Sequence, residues 1–80
     1  MALDILVVDD EPDICELVAG VLGDEGYSVR TAQTAERALE EVRTRTPRLV
    51  VLDVWLQGSQ MDGLSLLKYL KSIDPFLPVI

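Results

Sequence analysis

Asp9-Asp10-Glu11 follows directly on the apolar run Ile5-Leu6-Val7-Val8, and Asp53 ends a second apolar run, Leu49-Val50-Val51-Leu52. A lone acid after a strand is ordinarily a helix cap or a solvated loop residue. Three acids in a row, matched by another after a second apolar run, fit that reading poorly. In an open α/β sheet, ligands bind beyond the carboxyl ends of the strands, where the strand order reverses. If the two runs are neighbouring strands, Asp9, Asp10 and Asp53 converge there. Two carboxylates ~5 Å apart repel by roughly 3 kcal/mol at an effective dielectric of ~20. The neighbouring sequence supplies no obvious cation to offset this, and a divalent ion does so. A few all-oxygen ligands with room for water suit Mg2+ better than zinc. A carboxylate beside Mg2+ either only holds the ion or attacks phosphorus to form an aspartyl-phosphate. Asp53 stands alone at its strand end and is the natural nucleophile. Asp9 and Asp10 are adjacent, so their side chains diverge and both can serve the ion.

The elements that must position these acids follow from periodicity. Asp4 to Val8 is short, rich in Val and Ile, and not alternating, as expected of a strand buried on both faces of a parallel sheet. Pro12 suits the first turn of a helix whose stripe is Ile14, Leu17, Val18, Val21 and Leu22, with Gly26 as its C-terminal glycine. Ser28 to Ala32 reads as a second strand. Thr34 can cap a helix from Ala35 to about Arg45, with stripe Ala35, Ala38, Leu39 and Val42. Glu41 and Arg45 are spaced for an outer-face pair, and Pro47 stops that helix. Leu49 to Asp53 is the third strand. Asp62 caps a helix carrying Leu66, Leu67, Leu70 and Ile73, which ends at Asp74-Pro75. Pro78-Val79-Ile80 reads as the start of a fourth strand. The order βαβαβα, then a strand start, predicts a parallel sheet with helices on its faces.

Composition narrows the function. Fourteen acids against seven bases give a net charge of −7, which disfavours contact with nucleic-acid phosphates. One cysteine excludes an internal disulfide, and the absence of histidine excludes His-based triads and the common zinc sites. No apolar run is long enough to span a membrane and the N-terminus has no signal-peptide pattern, so the expected location is the cytoplasm. Eighty residues allow one small domain with a folded surface of roughly 4,800 Å².

Val7-Val8-Asp9-Asp10-Glu11, Val50-Val51-Leu52-Asp53 and Asp62-Gly63 together resemble the receiver domain of bacterial two-component response regulators, along the whole chain. The resemblance implies a flavodoxin-like (CheY-like) doubly wound sheet, with residues 1–80 as its N-terminal portion up to the start of the fourth strand. It implies that Asp53 takes a phosphoryl group from a sensor histidine kinase. It implies Mg2+ held by Asp10 and Asp53, by Asp9 directly or through water, and by the backbone carbonyl of Trp55.

The sequence departs from the family pattern twice. The segment Val54-Trp55-Leu56-Gln57-Gly58-Ser59-Gln60-Met61 lacks the usual Met-Pro and reaches Asp62-Gly63 two residues late. This longer loop resembles the NtrX type of nitrogen-related regulator. That type implies an NtrY-like kinase partner and a transcription-regulating output of ATPase and DNA-binding modules, neither of which lies in these residues. Second, a receiver's fourth strand is followed by a Ser or Thr and its fifth by a Lys, and neither position occurs in the 80 residues. Lys68 and Lys71 lie on the third helix and cannot replace that Lys. A three-strand unit is expected to leave apolar faces uncovered and a sheet edge open, favouring a homodimer or segment exchange.

Cys15 reads as a small packing residue, and Glu36, Glu40 and Glu41 as a solvated helix face. The leading function is a phosphoacceptor module rather than a turnover enzyme. One alternative is a pseudo-receiver that mediates contacts without phosphorylation. The other is a Mg2+-dependent phosphatase with an Asp nucleophile. Such enzymes carry a second Asp two residues after the nucleophile, where this chain has Trp55.

Overall fold

The computed structural model describes residues 3–53, 56 and 61–80. Three parallel strands, β1 (Asp4–Val8), β2 (Ser28–Ala32) and β3 (Leu49–Leu52), form a sheet of order β2-β1-β3. Helices α1 (Pro12–Asp24), α2 (Ala35–Thr44) and α3 (Gly63–Ile73) alternate with them. The strand limits read from the sequence agree with the structure except that β3 ends at Leu52, ahead of Asp53. A fourth strand begins beside β3. Val79 bridges Val50 in parallel, with Ile80 N–H to Val50 O at 2.9 Å and Leu52 N–H to Ile80 O at 2.7 Å.

β1 is the central strand and is buried on both faces, which is why its run is apolar without alternation. Leu6 and Val8 join Ala32, Val50, Ala35, Ala38, Val42, Leu56, Leu66, Leu70 and Leu77 in one core under α2 and α3. Ile5 and Val7 face the other way, toward α1, and are equally buried. The ends of the helices follow local chemistry. Thr34 Oγ1 accepts the Arg37 N–H at 3.1 Å, and Asp62 Oδ1 accepts the Ser65 N–H at 2.7 Å. Gly26 adopts φ +93°, a conformation that favours glycine, and Tyr27 N–H and Gly26 N–H bond Leu22 O and Gly23 O.

Two readings of the sequence are corrected. On α1 only Cys15 is buried, Val18 and Leu22 are half-buried, and Leu17 and Val21 remain 63% and 57% exposed. The stripe is wider than the surface the sheet offers, so its outer half faces away from it. The surface of 5127 Å² accordingly exceeds the roughly 4,800 Å² expected for this mass. The second correction concerns α2. Glu41 is held by Arg30 and Arg37, and Arg45 reaches Asp4, in place of the expected outer-face pair of Glu41 with Arg45.

Candidate functional site: an acidic cluster at the carboxyl edge of the sheet

β1 and β3 are neighbours in register, Val8 opposite Leu52, so the residues that follow them emerge side by side. Strand order reverses here, with β2 and β3 on opposite sides of β1. Pairing continues one residue past each strand: Asp53 N–H donates to Val8 O at 2.9 Å, and Asp9 N–H to Ala32 O at 3.0 Å. The backbones of Asp9 and Asp53 are thereby fixed to the sheet. Asp9 Oδ1 also accepts the Glu11 N–H at 2.9 Å, which orients its carboxylate and organises the entry to α1.

Carboxylate oxygens of Asp9, Asp10 and Asp53 all lie within 4.8 Å of one another, and all three residues are half-buried. Opposite ligands of a Mg2+ octahedron stand about 4.2 Å apart, given metal–oxygen distances of about 2.1 Å. Three hard oxygen donors within 4.8 Å of one another, on half-buried residues, fit Mg2+. They lack the nitrogen or sulfur donors that zinc prefers. The structure thus brings together the three acids singled out from the sequence. The fourth expected ligand, the backbone carbonyl of Trp55, lies outside the described residues.

Cys15 braces this edge from below. Its Sγ donates to Asp9 O at 3.3 Å and lies 3.9 Å from Ala32 O. Burial pushes the thiol pKa up, and the charges of Asp9 and Asp10 add to that. It therefore stays a neutral donor. Sequence reading assigned Cys15 to packing only, because a thiol bond to a main-chain carbonyl leaves no trace in residue spacing. Lys71 donates to Leu77 O at 2.7 Å, ahead of the fourth strand and away from the acids, as expected of a lysine on α3.

Residues 5–80 match the response regulator receiver domain family. The chain belongs to that family. The nitrogen assimilation regulatory protein NtrX of Azorhizobium caulinodans is 60% identical over 80 residues, covering all of this chain and 18% of that protein. The receiver domain of NtrX from Brucella abortus superposes with a TM-score of 0.92 at 60% identity, over 95% of this chain and 63% of that one. The Vibrio cholerae chemotaxis protein CheY4 superposes with a TM-score of 0.91 at 27% identity, over 99% of this chain and 66% of that one. The fold is flavodoxin-like, and the chain is similar along its length to the receiver part of NtrX. It spans under a fifth of the length of the NtrX relative it matches. Receiver domains work with sensor histidine kinases and generally bind Mg2+ at such an acidic cluster. Among the described residues no helix is long and apolar enough to cross a membrane.

Proposed function

We propose that this receiver chain is a Mg2+-dependent phosphoacceptor with Asp53 as the acceptor. The observation that carries the reading is the convergence of Asp9, Asp10 and Asp53 within 4.8 Å at the reversal of strand order. Asp9, Asp10, Asp53 and the carbonyl of Trp55 are assigned to the ion. When bound, Mg2+ supplies positive charge against the phosphoryl oxygens. Asp53 attacks phosphorus through one carboxylate oxygen as the phosphorus–nitrogen bond of the donor phosphohistidine breaks. The electron pair leaves on the imidazole, which takes a proton from water.

The donor is a sensor histidine kinase of the NtrY kind, by likeness to NtrX. Residues 1–80 form the amino-terminal portion of a cytoplasmic receiver whose phosphorylation controls a transcription-regulating output carried elsewhere in the protein. Residues 1–80 on their own self-associate as a homodimer or by segment exchange. Trp55 in place of a second Asp after the nucleophile sets the chain apart from turnover phosphatases.

The test is incubation with a small phosphodonor, with and without Mg2+, followed by intact-mass measurement and mapping of the modified residue. A persistent adduct on Asp53 that requires Mg2+ and is absent from Asp53→Asn is expected. No adduct, or an adduct on another residue, refutes the assignment.

A further inference from the structure

The peptide unit between Asp9 and Asp10 joins two of the three clustered acids. It is a rigid plane, so the direction of its carbonyl governs how Asp10 leaves the end of β1. The sheet does not hold that carbonyl. Past Val8 the main-chain bond to β2 is Asp9 N–H to Ala32 O at 3.0 Å, and β2 ends at Ala32. The start of α1 does not hold it either. Glu11 N–H goes to the Asp9 side chain at 2.9 Å, and Pro12 has no N–H to offer. The Asp9 carbonyl instead accepts the Cys15 thiol at 3.3 Å. Cys15 is 3% exposed, and its Sγ also lies 3.9 Å from Ala32 O. The turn that carries it is fixed in place, with Ile14 N–H and Cys15 N–H both bonding Glu11 O at 3.1 Å. The three bonds of Asp9 hold different parts of it: the N–H fixes the peptide before it, Oδ1 the side chain, and the thiol the peptide that leads to Asp10.

We propose that Cys15 is a positioning residue for the acidic site. Its S–H orients the Asp9–Asp10 peptide, and with it the angle between the two carboxylates on either side. This rests on the Mg2+ reading of Asp9, Asp10 and Asp53. Cys15 is not in that cluster and acts through the Asp9 carbonyl, one peptide unit from both acids. Outer partners of metal ligands typically change affinity by roughly ten- to a hundredfold. A thiol is a weak donor, so its effect falls below that range.

Serine and alanine differ little in size and both lose the sulfur, but only serine keeps a donor. The difference between Cys15→Ser and Cys15→Ala therefore reports the bond, and their shared loss reports packing. Mg2+ dissociation constants by calorimetry, and the Asp10 amide resonance and Tm without Mg2+, are compared with the unaltered protein under reducing conditions. Cys15→Ala is expected to weaken Mg2+ binding about fivefold and to displace the Asp10 amide resonance, with Cys15→Ser within about twofold of the original affinity and Tm lowered in both. Unchanged Mg2+ affinity in Cys15→Ala, even with a lower Tm, overturns the proposal by leaving only a packing role. Equal weakening in both variants overturns it in favour of a general loosening around α1. An unaltered protein that binds no Mg2+ overturns the site reading itself, and this inference with it.

Discussion

Asp4 opens β1 and Asp9 follows its end, and the two carboxylates sit in opposite electrostatic settings. Arg30 grips Asp4 with Nε to Oδ1 at 3.2 Å and Nη2 to Oδ2 at 2.8 Å, and Arg45 Nε adds a contact at 2.9 Å. The same guanidinium donates to Glu41 O and Arg45 O at the end of α2, both at 2.8 Å. Burial pushes the Asp4 pKa up, but the bonds and charges of Arg30 and Arg45 outweigh it and hold the carboxyl below its ordinary range. At the other end of the strand the fold sets acid against acid, Asp9 with Asp10 and Asp53. The amino end of the sheet thus uses charge to fasten β1, β2 and α2 together. The carboxyl end gathers like charge at a spacing that suits a cation ligand.

Four changes would break or sharpen that contrast. The largest effect is expected from Asp53→Asn. It should abolish phosphoryl uptake from a small donor, read by intact mass, while urea stability moves by less than about 1 kcal/mol. Arg30→Ala should have the opposite profile. It leaves a largely buried Asp4 with only the exposed Arg45 as partner, at a cost of about 3 kcal/mol in urea unfolding, with Mg2+ affinity within about twofold.

Asp4→Asn should cost about 1–2 kcal/mol at pH 7, and its loss should depend on pH. Because the folded pKa of Asp4 is lowered, the folded state binds fewer protons than the unfolded state. The contribution is then complete above the unfolded value of about 3.9 and disappears as pH falls through the folded value. The stability gap between the two proteins should therefore close on acidification below about pH 4. A gap that widens there would contradict the sign. The smallest effect is expected from Thr34→Ala, which removes the cap on α2 and should cost about 1 kcal/mol by thermal unfolding, leaving Asp4 and the acidic cluster untouched.

The parts of this contrast differ in how legible they were in the sequence. β1, the caps at Thr34 and Asp62, the turn at Gly26 and the three clustered acids follow from local chemistry and from strand ends. Neighbouring residues carry those signals. The Arg30 hub does not, because it depends on register: Leu6 pairs with Arg30, which brings that side chain to α2 and to Asp4. The bond from Met61 N–H to Glu36 Oε2 likewise joins residues far apart in the chain. On α1, helical spacing marks Ile14, Leu17 and Val21 as apolar but cannot say which half of a wide stripe the sheet covers. The Trp55 ligand and the loop at Gln57 to Gln60, which suggested the NtrX type, lie outside the described residues.

The central claim is that the carboxyl edge is a Mg2+ site built from Asp9, Asp10 and Asp53. The most direct test is a Mg2+ titration, followed by Trp55 fluorescence and calorimetry, of the protein beside Asp10→Asn, Asp53→Asn and Arg30→Ala. The account predicts saturable binding that either aspartate substitution weakens at least about tenfold and that Arg30→Ala leaves nearly unchanged. Binding that ignores Asp10→Asn and Asp53→Asn, or that never saturates, would contradict it.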